Sequence, residues 1–245
     1  MLQQMADKVV WCFGRGLSMG CGLTWDVPAE WRGVPREEKV EKIRKALLDE
    51  MIAPRVSVGG IKVFLTDLAR MTEPPWRHLF VTTNWDYLLQ RELLAFIPNK
   101  TVPRWLTKSW VYHLNGTVEE PWDCPDRSPF LLVEDPHTQR TLSREANDAL
   151  TYFQTASHFV VVGMSFECST DRFFLHQLCK LGGDFPVGES EWLVVNPNHV
   201  NLANVCRRIE KALPDARVDG VCRTLDEWRG EGFREMRPWG VFGPQ

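Results

Sequence analysis

No stretch of this chain comes near the roughly 20 apolar residues that a membrane-spanning helix needs. The longest apolar runs, such as Phe159–Met164, are far shorter. The first residues, MLQQMADKVVWCF, lack the charged start and the apolar core of about 7–15 residues that mark a secretory signal. Together these absences predict a soluble, cytoplasmic protein with no membrane partner. Basic charge is not in excess either. With 29 Lys and Arg against 32 Asp and Glu, the formal net charge is −3. That excludes a chain that is basic overall and predicts no direct nucleic-acid partner. Closely paired cysteines are missing too. Cys12, Cys21, Cys124, Cys168, Cys179, Cys206 and Cys222 are odd in number and never spaced CxxC. This argues against a disulfide framework and against a tetrathiolate zinc site, so no metal is expected. Internal repeats and low-complexity tracts are absent as well.

What is present is the composition of a folded domain. Hydrophobic residues make up 44% and charged residues 25%, near the globular norms of about 45–50% and 25%. A disordered chain or a fibre is excluded. The 245 residues read as a single domain. The 11 tryptophans read as packing residues.

Short apolar runs alternate with segments of helical spacing. Strands are predicted at Lys8–Phe13, His78–Thr82, Ser109–Leu114, His158–Gly163, Trp192–Asn196 and within Val218–Asp226. Helices are predicted at Pro35–Met51, Ile61–Met71, Trp85–Phe96, Ser143–Ser157 (capped by Ser143), Asp171–Leu181 (stopped by Gly182–Gly183) and His199–Leu213. Glu119–Pro136 reads as a long loop, and Arg223–Gln245 as a segment draped over the surface. Continuously apolar strands such as Phe159–Val162 are typical of parallel strands buried on both faces. The pattern predicts an α/β fold, a Rossmann-like and mainly parallel sheet with helices on both faces. The stretch from about 29 to 73 reads as a small helical insertion after the first strand, capping the sheet edge.

Open parallel sheets bind ligands beyond the carboxyl ends of their strands, so those ends hold the candidates. The first runs into Gly14-Arg15-Gly16-Leu17-Ser18, a turn whose glycines would let backbone N–H groups approach a pyrophosphate. It is not the dehydrogenase GxGxxG fingerprint, whose third glycine would fall at Met19. The second ends in Thr83-Asn84-Trp85-Asp86. Asn84 or Asp86 either caps the next helix or faces a ligand, an amide being able to donate and accept at once. The third ends in His113-Leu114-Asn115-Gly116, where period-two alternation puts His113 and Asn115 on one face. The fourth ends in Gly163-Met164-Ser165-Phe166-Glu167. It is not a GxSxG nucleophile elbow, so Ser165 reads as a hydroxyl contact or a turn residue. The fifth ends in Asn196-Pro197-Asn198.

In this order and spacing, Gly14-x-Gly16-x-Ser18, Thr83-Asn84-x-Asp86, Leu114-Asn115-Gly116, Gly163-x-Ser165 and Val195-Asn196 resemble the sirtuin-like NAD-binding domain family. The closer likeness is to its prokaryotic, zinc-free branch, many members of which hydrolyse NAD in defence against phage. The resemblance implies that Gly14, Gly16 and Ser18 cradle the pyrophosphate, with Arg15 adding a phosphate contact or crowding the loop. It puts Asn84 and Asp86 beside the nicotinamide ribose, Gly163 and Ser165 on the phosphate or adenosine side, and Asn196 at the adenosine ribose. The family's catalytic histidine would fall at Asn115, and an amide cannot act as a general base. His113 is the nearest substitute.

The leading expectation is cleavage of the nicotinamide–ribose bond of NAD, with Asn84, His113 and Asn115 as the catalytic candidates. The alternative is a non-catalytic sensor of NAD or ADP-ribose. Protein deacylation ranks below both, and a serine acyl-hydrolase at Ser165 last. A homo-oligomer or a regulatory partner chain stays open.

Overall fold

The six residues of Lys8–Phe13 form β1, and the alternate side chains of its five apolar residues, Val9–Phe13, enter two different cores. Val9, Trp11 and Phe13 face one layer; Val10 and Cys12 face the other. A strand buried on both sides has no polar face to show, so its sequence does not alternate. β1 is therefore an interior strand. The computed structural model describes residues 8–72, 77–96, 111–118, 132, 144–153, 156–167, 171–172, 175–178 and 189–242.

After β1 come α1 (Arg15–Gly20), α2 (Arg36–Met51), α3 (Gly59–Met71), β2 (Arg77–Thr82), α4 (Leu88–Phe96), β3 (Val111–His113), α5 (Arg144–Phe153), β4 (His158–Val162), β5 (Glu191–Val195), α6 (His199–Ala212), β6 (Arg217–Val221) and α7 (Leu225–Gly230). The strands form one sheet in the order β3-β2-β1-β4-β5-β6. All five ladders are parallel. The Rossmann-like α/β prediction holds. The chain steps outward from β1 through β2 to β3, then returns to lay β4 on the other side of β1. That return is the topological switch point at which such sheets open a crevice.

The first layer joins Trp11 and Phe13 to Ile43 and Leu47 of α2 and to Ile61, Phe64, Leu65 and Leu68 of α3. Phe64 meets Trp11 and Phe13 edge-on, at centroid distances of 5.0 and 5.8 Å. The described part of the 29–73 excursion carries α2 and α3 as expected, but α3 packs on Trp11 and Phe13 of the central strand β1 rather than at a sheet edge. The second layer sets Ala149 and Phe153 of α5 and Val205 and Ile209 of α6 against Val10, Phe159, Val161 and Trp192.

The C-terminal segment corrects the expectation of a surface drape. Thr224 caps α7 through a capping box, accepting the Glu227 N–H while Glu227 accepts that of Thr224 at 2.8 Å. Trp228, Phe233, Met236 and Val241 are fully buried or nearly so in the first layer. Arg229 binds Asp67 of α3 at 2.6 Å, and Phe242 bridges Thr72. Gly232 and Gly240 adopt positive φ at the turns of this strap. Its glycines and charges hid an apolar spine from a periodicity reading.

The expected loop at Glu119–Pro136 (Leu132 apart), the Ser143 cap and the Gly182–Gly183 stop lie outside the described residues. No helix among the described residues is long and apolar enough to cross a membrane.

Candidate functional site

A cavity of about 840 Å³ opens at the carboxyl ends of β1, β2, β3 and β4, at the switch point. One wall carries Arg15 and Ser18 of α1, the short helix into which the β1 turn runs. The floor carries Thr83, Asn84, Trp85, Asp86 and Asn115, and the β4 wall carries Ser165, Glu167 and Asp171. The loop from Leu23 to Gly33 and the inner face of α2, with Lys39, Ile43 and Leu47, close the remaining side.

Glycine is required in the β1 turn by a backbone crossing. A Cβ on Gly14 would stand 2.5 Å from Met164 Cα, and one on Gly16 2.6 Å from Gly163 Cα. Gly163 also holds φ +63°, the left-handed region that other residues enter at a cost. The Gly14 N–H donates to Val162 O at 3.0 Å and the Gly16 N–H to Gly163 O at 2.9 Å. The two glycines thus spend their own N–H groups within the protein. They let the β1 turn and the β4 end touch, and that contact builds the crevice.

Asn84 is the best-fixed polar group at the floor. Its Nδ2 donates to Gly14 O at 3.0 Å and to Ser18 Oγ at 2.8 Å. A carbonyl can only accept, so these bonds fix which end of the amide is nitrogen. Its Oδ1 accepts nothing among the described residues. Ser18 in turn donates to Asp86 Oδ2 at 2.6 Å. Asp86 also accepts the Leu88 N–H at 3.2 Å, so its capping role at the start of α4 is real. Burial pushes the Asp86 carboxyl above its ordinary range, opposed by the hydrogen bonds from Ser18 and Leu88. Asp86 thus braces Asn84 through Ser18 and caps a helix with the same carboxylate.

His113 and Asn115 do not share a strand face. β3 ends at His113, and Asn115 lies in the following turn. Asn115 lines the cavity and donates from Nδ2 to Thr83 O at 2.9 Å. His113 is 1% exposed and sits behind the floor. Its Nδ1 contacts Asn84 O at 3.3 Å and its Nε2 the Gln90 amide at 2.9 Å. Both partner atoms, Asn84 O and Gln90 Oε1, are acceptors, and a neutral imidazole carries one N–H and so donates to only one of them. His113 holds the Asn84 backbone and does not reach the cavity wall.

Of the remaining candidates, Ser165 lines the cavity and its Oγ accepts the Glu167 N–H at 3.2 Å. Arg15 also lines it, paired with Asp26 at 2.9 Å. Asn196 is not a lining residue. Its Oδ1 accepts the Asn198 N–H at 2.9 Å, closing the β5 end on itself. Sequence reasoning missed the 23–33 loop, including Trp25 and Trp31, whose rings lie 5.9 Å apart. It also missed Lys39 on α2. The loop has no periodicity to read, and Lys39 looks like an ordinary helix-surface charge. Among the described residues, no three His, Cys, Asp or Glu side chains gather as a metal site.

No family model and no curated protein sequence matches the chain. Among solved structures, it is similar to a chain from work on the mechanism and regulation of Sir2 enzymes. The two are 15% identical over 96% of this chain and 94% of that one, with a TM-score of 0.49. It is likewise similar to a Sir2 chain with a p53 peptide and NAD+, at 16% identity over 96% and 95% of the two chains and a TM-score of 0.49.

Proposed function

We propose that this chain binds an NAD-type dinucleotide in the β1/β4 crevice and cleaves the bond between nicotinamide and ribose. The observation that carries this reading is the Asn84 amide. Both of its N–H groups are held by Gly14 and Ser18, and its carbonyl oxygen is left at the cavity floor. A fixed acceptor of that kind can orient an attacking water or a ribose hydroxyl. Strand order and crevice volume agree with a dinucleotide-sized ligand.

The chemistry asks little of an acid. The C1′–N bond of a nicotinamide riboside breaks with its electron pair going to the ring nitrogen, which leaves neutral. The sugar becomes oxocarbenium-like, water forms the new C1′–O bond, and its extra proton passes to solvent. Asn84 holds that water, and Ser18 and Asp86 keep Asn84 from turning. Asn115 lines the same floor and offers a second amide to the ribose hydroxyls.

The second reading, a binding or sensing module without turnover, is favoured by the placement of the histidine. Asn115 does not titrate, and His113 is buried behind Asn84. Incubation of the full chain with NAD, following nicotinamide release beside NAD affinity, separates the two. Release above buffer that Asn84→Ala abolishes supports cleavage. Binding without release leaves the sensor, and Asn115→His then raises activity. Absence of binding rejects both. A role in phage defence depends on the cleavage reading and is tested by NAD depletion in infected cells that express the chain.

A further inference from the structure

We infer that Glu167, held in place by Arg208, is the residue that reads the diol of a bound ribose. This deepens the proposed function and rests on a dinucleotide occupying the crevice. The β4 strand ends in a tight turn that carries two positive-φ residues, Gly163 at +63° and Phe166 at +54°. Phe166 is fully buried. Burying Phe166 leaves its neighbours, Ser165 and Glu167, to line the cavity. A positive φ is costly for a bulky residue and persists only where the surroundings hold it.

Arg208 of α6 supplies part of that hold. Its Nη1 donates to Ser165 O at 2.6 Å and its Nη2 to Glu167 Oε1 at 3.2 Å. The planar fork therefore fixes the turn and one oxygen of the carboxylate together. Glu167 Oε2 accepts nothing among the described residues and is free to accept from a ligand. A carboxylate with one oxygen clamped and the other open suits two neighbouring hydroxyls, which only need an acceptor. It repels a phosphate at the same place. The cationic side chains of the cavity, Arg15, Arg32 and Lys39, belong to α1, the 23–33 loop and α2. Anionic and hydroxylic parts of a dinucleotide are thereby assigned to different walls. Acidic residues at strand ends serve the same purpose in other sheets of this order, where 2′-phosphate recognition instead uses arginine.

The test measures binding of NAD and of NADP to the full chain at one ionic strength, by calorimetry. The wild type is expected to favour NAD by at least about tenfold, since like charges in contact are strongly disfavoured. Glu167→Gln should bring the two ligands to within about threefold, chiefly by improving NADP, because the repulsion is gone. Glu167 is exposed, so its thermal midpoint should not move. Arg208→Lys should keep the preference and Arg208→Met should blunt it, a change in ratio that a merely structural role would not produce. Equal affinities in the wild type, or an unchanged ratio in Glu167→Gln, overturn the inference while the crevice reading stands. Binding of neither ligand overturns both.

Discussion

Two buried chains of hydrogen bonds run through this molecule, and they end differently. In the aromatic layer, Trp11 Nε1 donates to His78 Nδ1 at 2.8 Å. His78 Nε2 meets Thr72 Oγ1 at 3.0 Å, and Thr72 donates to Leu68 O at 2.6 Å. Every step has a donor and an acceptor, and the last acceptor is a helix carbonyl. At the crevice, Asn84 donates to Ser18 and Ser18 to Asp86, but the chain starts from a cavity-lining amide whose Oδ1 accepts nothing among the described residues. The first network closes on the protein and ties β1, β2 and α3 together. The second stops short, at the cavity. The difference separates architecture from site more sharply than burial does, since both networks contain residues under 10% exposed.

The largest effect expected is on the closed network. Trp11→Ala removes a fully buried indole and leaves His78 without its donor. It should cost about 3–5 kcal/mol of stability, read by denaturant unfolding. A loss under about 1 kcal/mol would mean that the aromatic layer repacks and the network is incidental.

Gly163→Ala blurs the comparison, because it lies at the site but acts on the fold. Its Cβ would meet Gly16 Cα at 2.6 Å with φ at +63°, so about 2–4 kcal/mol is expected from strain and crowding. Dinucleotide affinity should fall with it. Unchanged stability would show that the β1 turn and the β4 end are not in contact.

The smallest effect expected is a pair of opposite pH dependences. Burial lowers His78 to about 3, from an ordinary 6.5. The unfolded chain takes that proton first, so the contribution is full above about pH 6.5 and is lost as pH falls. The loss should reach about 2 kcal/mol by pH 5. Asp86 is shifted the other way, upward by burial. Its contribution is greatest at low pH and declines as pH rises from the ordinary carboxylate range through the raised folded value. Subtracting the stability curves of His78→Gln and Asp86→Asn from that of the wild type isolates each slope. Slopes of the same sign would undo the contrast between the two networks.

Much of the fold was legible because parallel strands leave a strong trace. His158–Val162 and Glu191–Val195 are short apolar runs between helical periods, and both stand where they were expected. The C-terminal strap was not legible, since Trp228 and Phe233 sit among charges and only the opposing α3 gives them a face to bury against. Six candidates, Arg15, Ser18, Asn84, Asp86, Asn115 and Ser165, border one cavity. The shared face expected for His113 and Asn115 did not form because two-residue alternation holds only while the strand lasts, and β3 ends at His113.

The sequence by itself determined the sheet, the polar strand ends and the glycines between them, because apolar periodicity and backbone freedom are local properties of the chain. The tertiary structure alone decided which of those polar groups line the cavity. That depends on what each side chain finds across the fold: Asn196 closes on its own loop and His113 on Asn84 and Gln90, while Asn84 lines the cavity with a side-chain Oδ1 that accepts nothing among the described residues.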